Sequence, residues 1–270
     1  MDIQEINQLR HPSERKLYVV CALLNVIVMA FLLLGLVLLW RLIITTSYIK
    51  NIYIAAFAAF GAAFLSMGST FAHTRVYSVK ADEKQFPNLW NKVVEYAKQL
   101  DIKKQPSIYI KQGDGIINAF AAYFWGRNYV LLNTEIFEIA YLEHKDENAV
   151  FFIIAHEMAH ICLSHTRFWY NASIFFSKII PVLGTALSRS QEYSCDRIAQ
   201  ELCPEGKHGI FMLLLGRHLY RNVNVEQYLQ QAVNTHGWFE FFVNINSTHP
   251  VNTRRVLAIY KPEKRGKLLF

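Results

Sequence analysis

Two stretches without a single charge constrain this chain more than any other feature. Leu17 to Trp40 runs for 24 residues with Asn25 as its only strongly polar member, and Ile52 to Phe71 runs for 20. A helix needs about 20 apolar residues to cross a hydrocarbon core of about 30 Å. Both runs are apolar all round, whereas the surface helices of soluble domains keep a polar face. The second is rich in Ala, Gly and Ser, which let helices approach closely in lipid. Tyr18 and Trp40 stand at the ends of the first, where amphipathic aromatics favour the headgroup level. A cleaved leader fits poorly, because its apolar region is about 7–15 residues and no Ala-x-Ala-like site follows the first run. The expectation is an N-terminal segment over 1–16, a transmembrane helical hairpin over 17–72, and a globular part over 73–270.

Charge placement orients the hairpin. Arg10, Arg15 and Lys16 precede the first run and Arg75, Lys80 and Lys84 follow the second, while Arg41 and Lys50 alone are basic in the turn between them. The positive-inside rule then puts both termini and the globular part in the cytoplasm, against an inner or plasma membrane. The net charge of +7 invites a nucleic-acid reading. However, the cluster Arg254, Arg255, Lys261, Lys264, Arg265 and Lys267 belongs to no helix-turn-helix, zinc-finger or RNA-binding pattern. An anionic lipid surface is the simpler partner for it, so no nucleic acid is expected. No phosphate-binding loop is present, so no nucleotide is expected either. With 18% charged and 53% hydrophobic residues the chain is too oily to be disordered. The four cysteines form no CxxC pair and read as small buried hydrophobes rather than a disulfide framework.

From His73 the composition becomes ordinary. Helical spacing covers Phe86 to Leu100, with Pro87 suited to a first turn. Ser107 to Lys111 alternates as a short strand, Gly113-Asp114-Gly115 marks a turn, and Ile116 to Tyr123 reads as a second strand. Gly126-Arg127-Asn128 turns the chain again before Tyr129 to Leu132, which predicts a small antiparallel sheet. Asp146 to Leu163 is a strong helix with acidic residues in its first turn. Further helices are expected near Gln191–Leu202, His208–Tyr220, Val225–Asn234 and Asn252–Tyr260. The class is mainly α with a small antiparallel β-sheet, joined to the N-terminal hairpin.

The Asp146–Leu163 helix carries His156-Glu157-Met158-Ala159-His160, an HExxH pattern. Residues four apart share a helix face, so both imidazoles can address one metal ion. Glu157 projects about 100° round from His156, where it can reach a metal-bound water. Imidazoles with an open position suit catalytic zinc, one ion per chain. Two His and a Glu in so apolar a helix would be costly without a metal or partner. His165 does not supply a third ligand by the HExxHxxGxxH pattern, since Leu163 and Thr166 stand where Gly and His are required; it reads as a polar residue at the helix end. Glu192 is the better candidate. It lies at i with Asp196 at i+4, so one carboxylate can ligate while the other holds a ligating His by its second nitrogen. An exposed acidic face paired with Arg189 and Arg197 is the plainer alternative.

HExxH on an apolar helix, followed by Glu192-Tyr193-x-x-Asp196, resembles the HtpX and CAAX-prenyl-protease family of membrane zinc metallopeptidases. Asn118-Ala119-Phe120-Ala121 resembles the family's strand upstream of that helix, and Thr248-His249-Pro250 with Arg255 resembles its C-terminal His-Pro…Arg motif. The resemblance spans about residues 86 to 260 in the family's order and implies a zincin-like peptidase domain. It implies zinc on His156, His160 and Glu192, Glu157 as general base, and Asp196 supporting the metal shell. It also implies that Asn118, Ala119 and Phe120 hold substrate backbone by edge addition. His249 and Arg255 would stabilise the oxyanion or orient neighbours.

Cys195 departs from the family by replacing a usual Ala. A larger departure is the stretch between HExxH and Glu192, where HtpX-type members carry two further spans. Only Phe168 to Leu187 is available here, broken by Asn171, Lys178 and Pro181. Two spans need about 40 residues, and a single crossing would put Glu192 across the bilayer from His156. The expectation is an apolar insert over 168–187, bent near Pro181, that lies on the interface or dips part way in. The function expected is a membrane-anchored zinc endopeptidase acting on membrane-associated or misfolded proteins. The rivals are an inactive membrane adaptor of the same fold and a processing protease for prenylated or secreted peptides. The oligomeric state is not legible.

Overall fold

The computed structural model describes residues 1–40, 42, 47–138 and 145–269. Within the expected turn between the apolar runs, Arg41 and residues 43–46 lie outside this set. The chain opens with a short helix, α1 (Ile3–Leu9), which the sequence reading did not anticipate. Its signal is a capping box: Asp2 accepts the Glu5 amide while the Glu5 side chain accepts the Asp2 amide, both at 2.7 Å. The apolar runs follow as α2 (Glu14–Leu38) and α3 (Ser47–Val76), both long and apolar enough to cross a membrane. Most of their side chains are exposed.

A four-stranded sheet comes next, built from β1 (Val79–Ala81), β2 (Ser107–Lys111), β3 (Ala119–Phe124) and β4 (Arg127–Asn133), with α4 (Pro87–Gln99) between the first two. The expected antiparallel sheet is corrected here: the order is β1-β2-β4-β3, and β2 pairs with β4 in parallel. The Gly113-Asp114-Gly115 turn explains the difference. The Glu135 carboxylate accepts the Gly113 and Gly115 amides at 3.1 and 2.6 Å, and Gly115 takes φ +86°. This loop carries β3 to the edge, and the β3–β4 hairpin folds β4 back into the centre. The central place suits β4, whose Tyr129 to Leu132 is a continuous buried apolar run rather than an alternating one.

Against the sheet lies α5 (Glu147–Cys162), capped by Asp146, with Ala149 through Ala159 buried without interruption. It is buried all round because α4, the sheet and later helices surround it. A tight turn at Pro204–Gly209 crosses its first turn, and only glycine fits there. A Cβ on Gly206 would fall 2.0 Å from the Asn148 carbonyl oxygen, and one on Gly209 would fall 2.8 Å from that of Ala149.

The apolar insert forms α6 (Phe168–Ser173), a 3-10 turn at Phe176–Lys178, and a reversal ending at Val182, whose φ is +72°. The chain then enters α7 (Leu183–Leu202), eight residues earlier than the sequence reading placed it. The insert leans on α2. Tyr18 stacks on Tyr170 at 4.7 Å, Cys21 packs with Ile174 and Leu187, and the Phe176 amide donates to Asn25 Oδ1 at 3.2 Å. Thus the one strongly polar residue of the first run satisfies a backbone amide of the insert. The remaining helices are α8 (Ile210–Leu219), α9 (Val225–Asn234), α10 (Trp238–Asn246) and α11 (Asn252–Tyr260). α10 was not expected; the buried Arg189 guanidinium caps its C-terminal end through the carbonyls of Asn244, Ile245 and Ser247. Among the described residues all four cysteines are free thiols.

Candidate active site

His156 and His160 stand one turn apart on α5 and leave it by the same face, their Nε2 atoms 3.2 Å apart. α7 crosses that face and delivers Glu192. Its Oε1 lies 3.3 Å from His160 Nε2 and its Oε2 lies 3.5 Å from His156 Nε2. Tetrahedral ligands about 2.0–2.1 Å from a zinc ion lie about 3.3 Å from one another, so the three donors are spaced to share one.

The partners behind each imidazole settle which nitrogen faces inward. His156 Nδ1 is 2.8 Å from Asp196 Oδ1, and a carboxylate only accepts, so this nitrogen carries the proton. His160 Nδ1 is 3.1 Å from His165 Nδ1, and His165 Nε2 is 3.1 Å from Glu14 Oε1. Glu14 fixes the proton of His165 on Nε2, leaving its Nδ1 to accept from His160. Both inner nitrogens are then bare lone pairs aimed at each other and at the Glu192 carboxylate. Arg255 Nη2 stays 3.6 Å from Glu192 Oε2, outside hydrogen-bond distance and to one side; three buried acceptors converging in this way repel one another unless a cation or a proton stands among them. Two imidazoles and a carboxylate are a zinc donor set, so these residues fit the ion.

The electrostatics agree. Burial opposes the His156 cation, yet the Asp196 and Glu192 carboxylates outweigh it and hold its pKa up at about 10. Burial works against ionised Glu192 too, but His156 and His160 keep its carboxyl well below the ordinary value. Asp196 is lowered against burial by Arg255 and His156. Burial pushes the His165 imidazole down to about 4 and so keeps it neutral. His160, His165 and Cys195 also lie close enough to hold an ion. However, burial drives the Cys195 thiol well above its usual value, which disfavours the thiolate a metal needs.

Glu157 turns toward the sheet, where its Oε2 accepts the Ala121 amide at 2.7 Å. Burial raises its carboxyl, with His156 and His160 pulling the other way. A raised carboxyl suits a group that takes up and returns a proton near neutral pH. Since Ala121 directs its amide away from β4, the outward backbone groups of edge strand β3 belong to Ala119, Ala121 and Tyr123. Asn118 spends its carbonyl on the Asn133 amide at 3.0 Å. Phe120 directs its side chain to the outer face of the sheet, among Tyr109, Tyr129 and Leu131, while its backbone lines the cleft.

Arg255 is buried and forks onto Asp196, Nε to Oδ2 at 2.8 Å and Nη2 to Oδ1 at 2.7 Å. That placement suits orienting neighbours rather than meeting a reacting group. His249 stands at the open rim, its side chain 64% exposed, with Nε2 3.8 Å from Glu192 Oε1. The exposed acidic face is overturned: Glu192 and Asp196 are buried, Arg189 caps α10, and Arg197 donates to the Pro262 carbonyl. The sequence reading assigned no role to Glu14, His165 or Ser194, which meet behind His160. Only a charge directly before the first apolar run could have flagged Glu14.

His156, Glu157, His160, Glu192, His249 and Arg255 border a cleft of about 530 Å³ together with strand β3. A search of the curated proteins finds no match. The model of peptidase family M48 matches residues 83–175 and 168–263, two segments that overlap where the apolar insert begins. Together they take in strands β2 to β4, the HExxH helix, Glu192, Asp196 and Arg255, well over half of the sequence, and the chain belongs to peptidase family M48, the zinc metallopeptidases.

Proposed function

We propose that this chain is a membrane-anchored zinc endopeptidase that cuts membrane-associated or misfolded proteins at the cytoplasmic face. The observation that carries the reading is the convergence of His156 Nε2, His160 Nε2 and the Glu192 carboxylate beside Glu157 and a free strand edge. His156, His160 and Glu192 would hold one zinc ion, which when bound would supply Lewis acidity and lower the pKa of a water. Glu157 takes a proton from the attacking water and returns it to the leaving amine. Asp196, clamped by Arg255, keeps His156 in the tautomer that ligates. An extended substrate adds to the outer edge of β3 beside Asn118–Ala121, pairing with the outward backbone groups of Ala119 and Ala121, which gives main-chain affinity with little sequence demand. His249 at the rim contacts the substrate near the scissile bond.

The two apolar helices anchor the domain, and the six-to-two basic bias supports a cytoplasmic side for both termini. Asn25 lies about 12 Å along the first apolar run from Leu17 at 1.5 Å per residue. Because the insert is tied to Asn25, with Phe175 and Ile179 exposed, it dips into the near leaflet beside α2. This brings the cleft to the membrane surface, where membrane-bound substrates are presented.

The test is purification in detergent, zinc content per chain, and casein cleavage by wild type and Glu157→Gln. One zinc in both proteins, with cleavage at least 100-fold slower in the variant, is expected. Undiminished cleavage by a zinc-loaded variant would overturn the mechanism, and a wild type that binds no zinc would favour the inactive adaptor.

A further inference from the structure

Glu14 is fully buried at the base of the first apolar helix, a costly place for a carboxylate unless it is paired. It is the hub of a network. Arg10 and Ser194 donate to it, and His165 Nε2 donates at 3.1 Å. Ser194 in turn accepts the His11 amide at 2.9 Å, and sits on α7 two residues after Glu192. His165 is itself buried, and its other nitrogen faces His160 Nδ1 at 3.1 Å. The route runs carboxylate, imidazole, imidazole, and ends at the inner nitrogen of His160. It spans 151 residues of sequence between Glu14 and His165.

Resting on the zinc-peptidase reading, we infer that Glu14 and His165 are positioning residues for the metal. They form a relay by which the foot of the membrane helix fixes the tautomer and ring plane of His160. Asp196 does this for His156 with one direct carboxylate contact. Among the described residues no carboxylate meets His160 Nδ1, which reaches Glu14 through His165 instead. The imidazole that Glu14 polarises is a better acceptor for His160 Nδ1–H, which raises the basicity of His160 Nε2 toward the ion. The anchor is thereby part of the metal site and not only a tether.

The relay needs one acceptor and one donor at position 165, not a ring as such. A carboxamide offers both at a spacing close to that of the two ring nitrogens, so His165→Gln can restore what His165→Leu removes. The experiment uses the full-length protein in detergent and reads zinc affinity by competition with a chromophoric chelator. The melting temperature of the metal-free protein is measured alongside. Wild type is expected to bind one zinc. His165→Leu and Glu14→Gln are expected to bind it 10- to 100-fold more weakly. His165→Gln is expected to recover to within a few-fold of wild type, with its metal-free melting temperature close to that of His165→Leu. Wild-type affinity in both His165→Leu and Glu14→Gln overturns the relay while leaving the peptidase reading intact. So does an equal loss in His165→Gln and His165→Leu, because that marks a packing role. If His165→Leu does not fold, Glu14→Gln and His165→Gln decide alone: wild-type affinity in Glu14→Gln, or none in His165→Gln, overturns it. A zinc-free wild type removes the peptidase reading itself, a separate outcome.

Discussion

The Ala121 amide donates to Glu157 Oε2 at 2.7 Å, tying the edge strand of the sheet to the carboxylate of the HExxH helix. On the proposed edge addition, a substrate strand would pair with this outward amide, so Glu157 and the substrate would compete for one donor. Arrival of a peptide on β3 would then release the carboxylate toward the reacting water. Ala121→Pro removes the donor at an edge position that tolerates proline. The bond an added strand makes there is a neutral one worth about 0.5–1.5 kcal/mol, so kcat/KM is expected to fall about 2- to 10-fold with zinc content unchanged. Steady-state kinetics on a fluorogenic peptide, with metal analysis, checks this; unchanged kcat/KM would remove β3 from substrate binding.

Arg255 and Asp196 make a two-bond fork inside the protein. Lysine cannot reproduce a planar fork, so Arg255→Lys is expected to loosen Asp196 and weaken zinc binding about 10-fold. Arg255→Ala leaves a buried carboxylate short of its cation and should cost about 3–5 kcal/mol of stability. Asp196→Asn still offers His156 an acceptor but turns an amide NH2 or a weaker oxygen toward Arg255. Its zinc affinity is expected to fall 10- to 100-fold. Chelator competition and urea unfolding separate the two effects. Wild-type zinc affinity in Asp196→Asn would show that the second nitrogen of His156 needs no carboxylate.

The core of this site is readable in the sequence because its parts are local. A helix period of 3.6 puts His156 beside His160 and Glu192 beside Asp196, and an apolar setting makes buried polar groups conspicuous. What was not readable depends on chain segments meeting across long separations. The strand order follows from Glu135 holding the Gly113–Gly115 loop, a contact no alternation pattern records. The continuous run Tyr129 to Leu132 carried the one usable hint, since a strand buried on both faces belongs in the middle of a sheet. Glu14 reads as an ordinary charge ahead of a membrane run, and its role appears only when α2 lies on α7. Asn25 reads as a flaw in an apolar helix until the amide of Phe176 is placed on it.

The metal-free site predicts how zinc and pH combine. His156 has its pKa raised to about 10 from 6.5, so its charge contributes stability that is complete below 6.5 and lost as pH rises through about 10. Glu192 and Asp196 are lowered, so their contribution is present above their ordinary 4.5 and 3.8 and fades as pH falls below those values. The combined contribution of these three groups is therefore greatest between 4.5 and 6.5, while His165, held down at about 4, removes stability as pH falls below 6.5. Zinc takes the place of the His156 proton, so the zinc form escapes the alkaline loss. One group contributes about 1.4 kcal/mol per pH unit, which is roughly 3–6 °C in a domain of this size. The melting gap between zinc-loaded and chelated protein should widen by about that much per unit from pH 6.5 to 9. A gap that stays constant across this range would mean that His156 is not the group zinc displaces.

The insert gives the last prediction. Its reversal at Ile179–Val182 exposes apolar side chains, whereas Ser188 on α7 faces the cleft. Single spin labels at Ile179 and Ser188 of the protein in liposomes should therefore differ in environment. Ile179 is expected to be accessible to oxygen, which partitions into lipid, and shielded from a water-soluble nickel complex; Ser188 is expected to show the reverse. Asn25→Leu removes the acceptor of the Phe176 amide and costs about 1 kcal/mol, while keeping the first helix apolar. It should therefore leave α2 in the membrane but raise the mobility of the label at Ile179. Nickel accessibility at Ile179 equal to that at Ser188 would place the insert in water, and the bilayer would then meet this protein only through its two long helices.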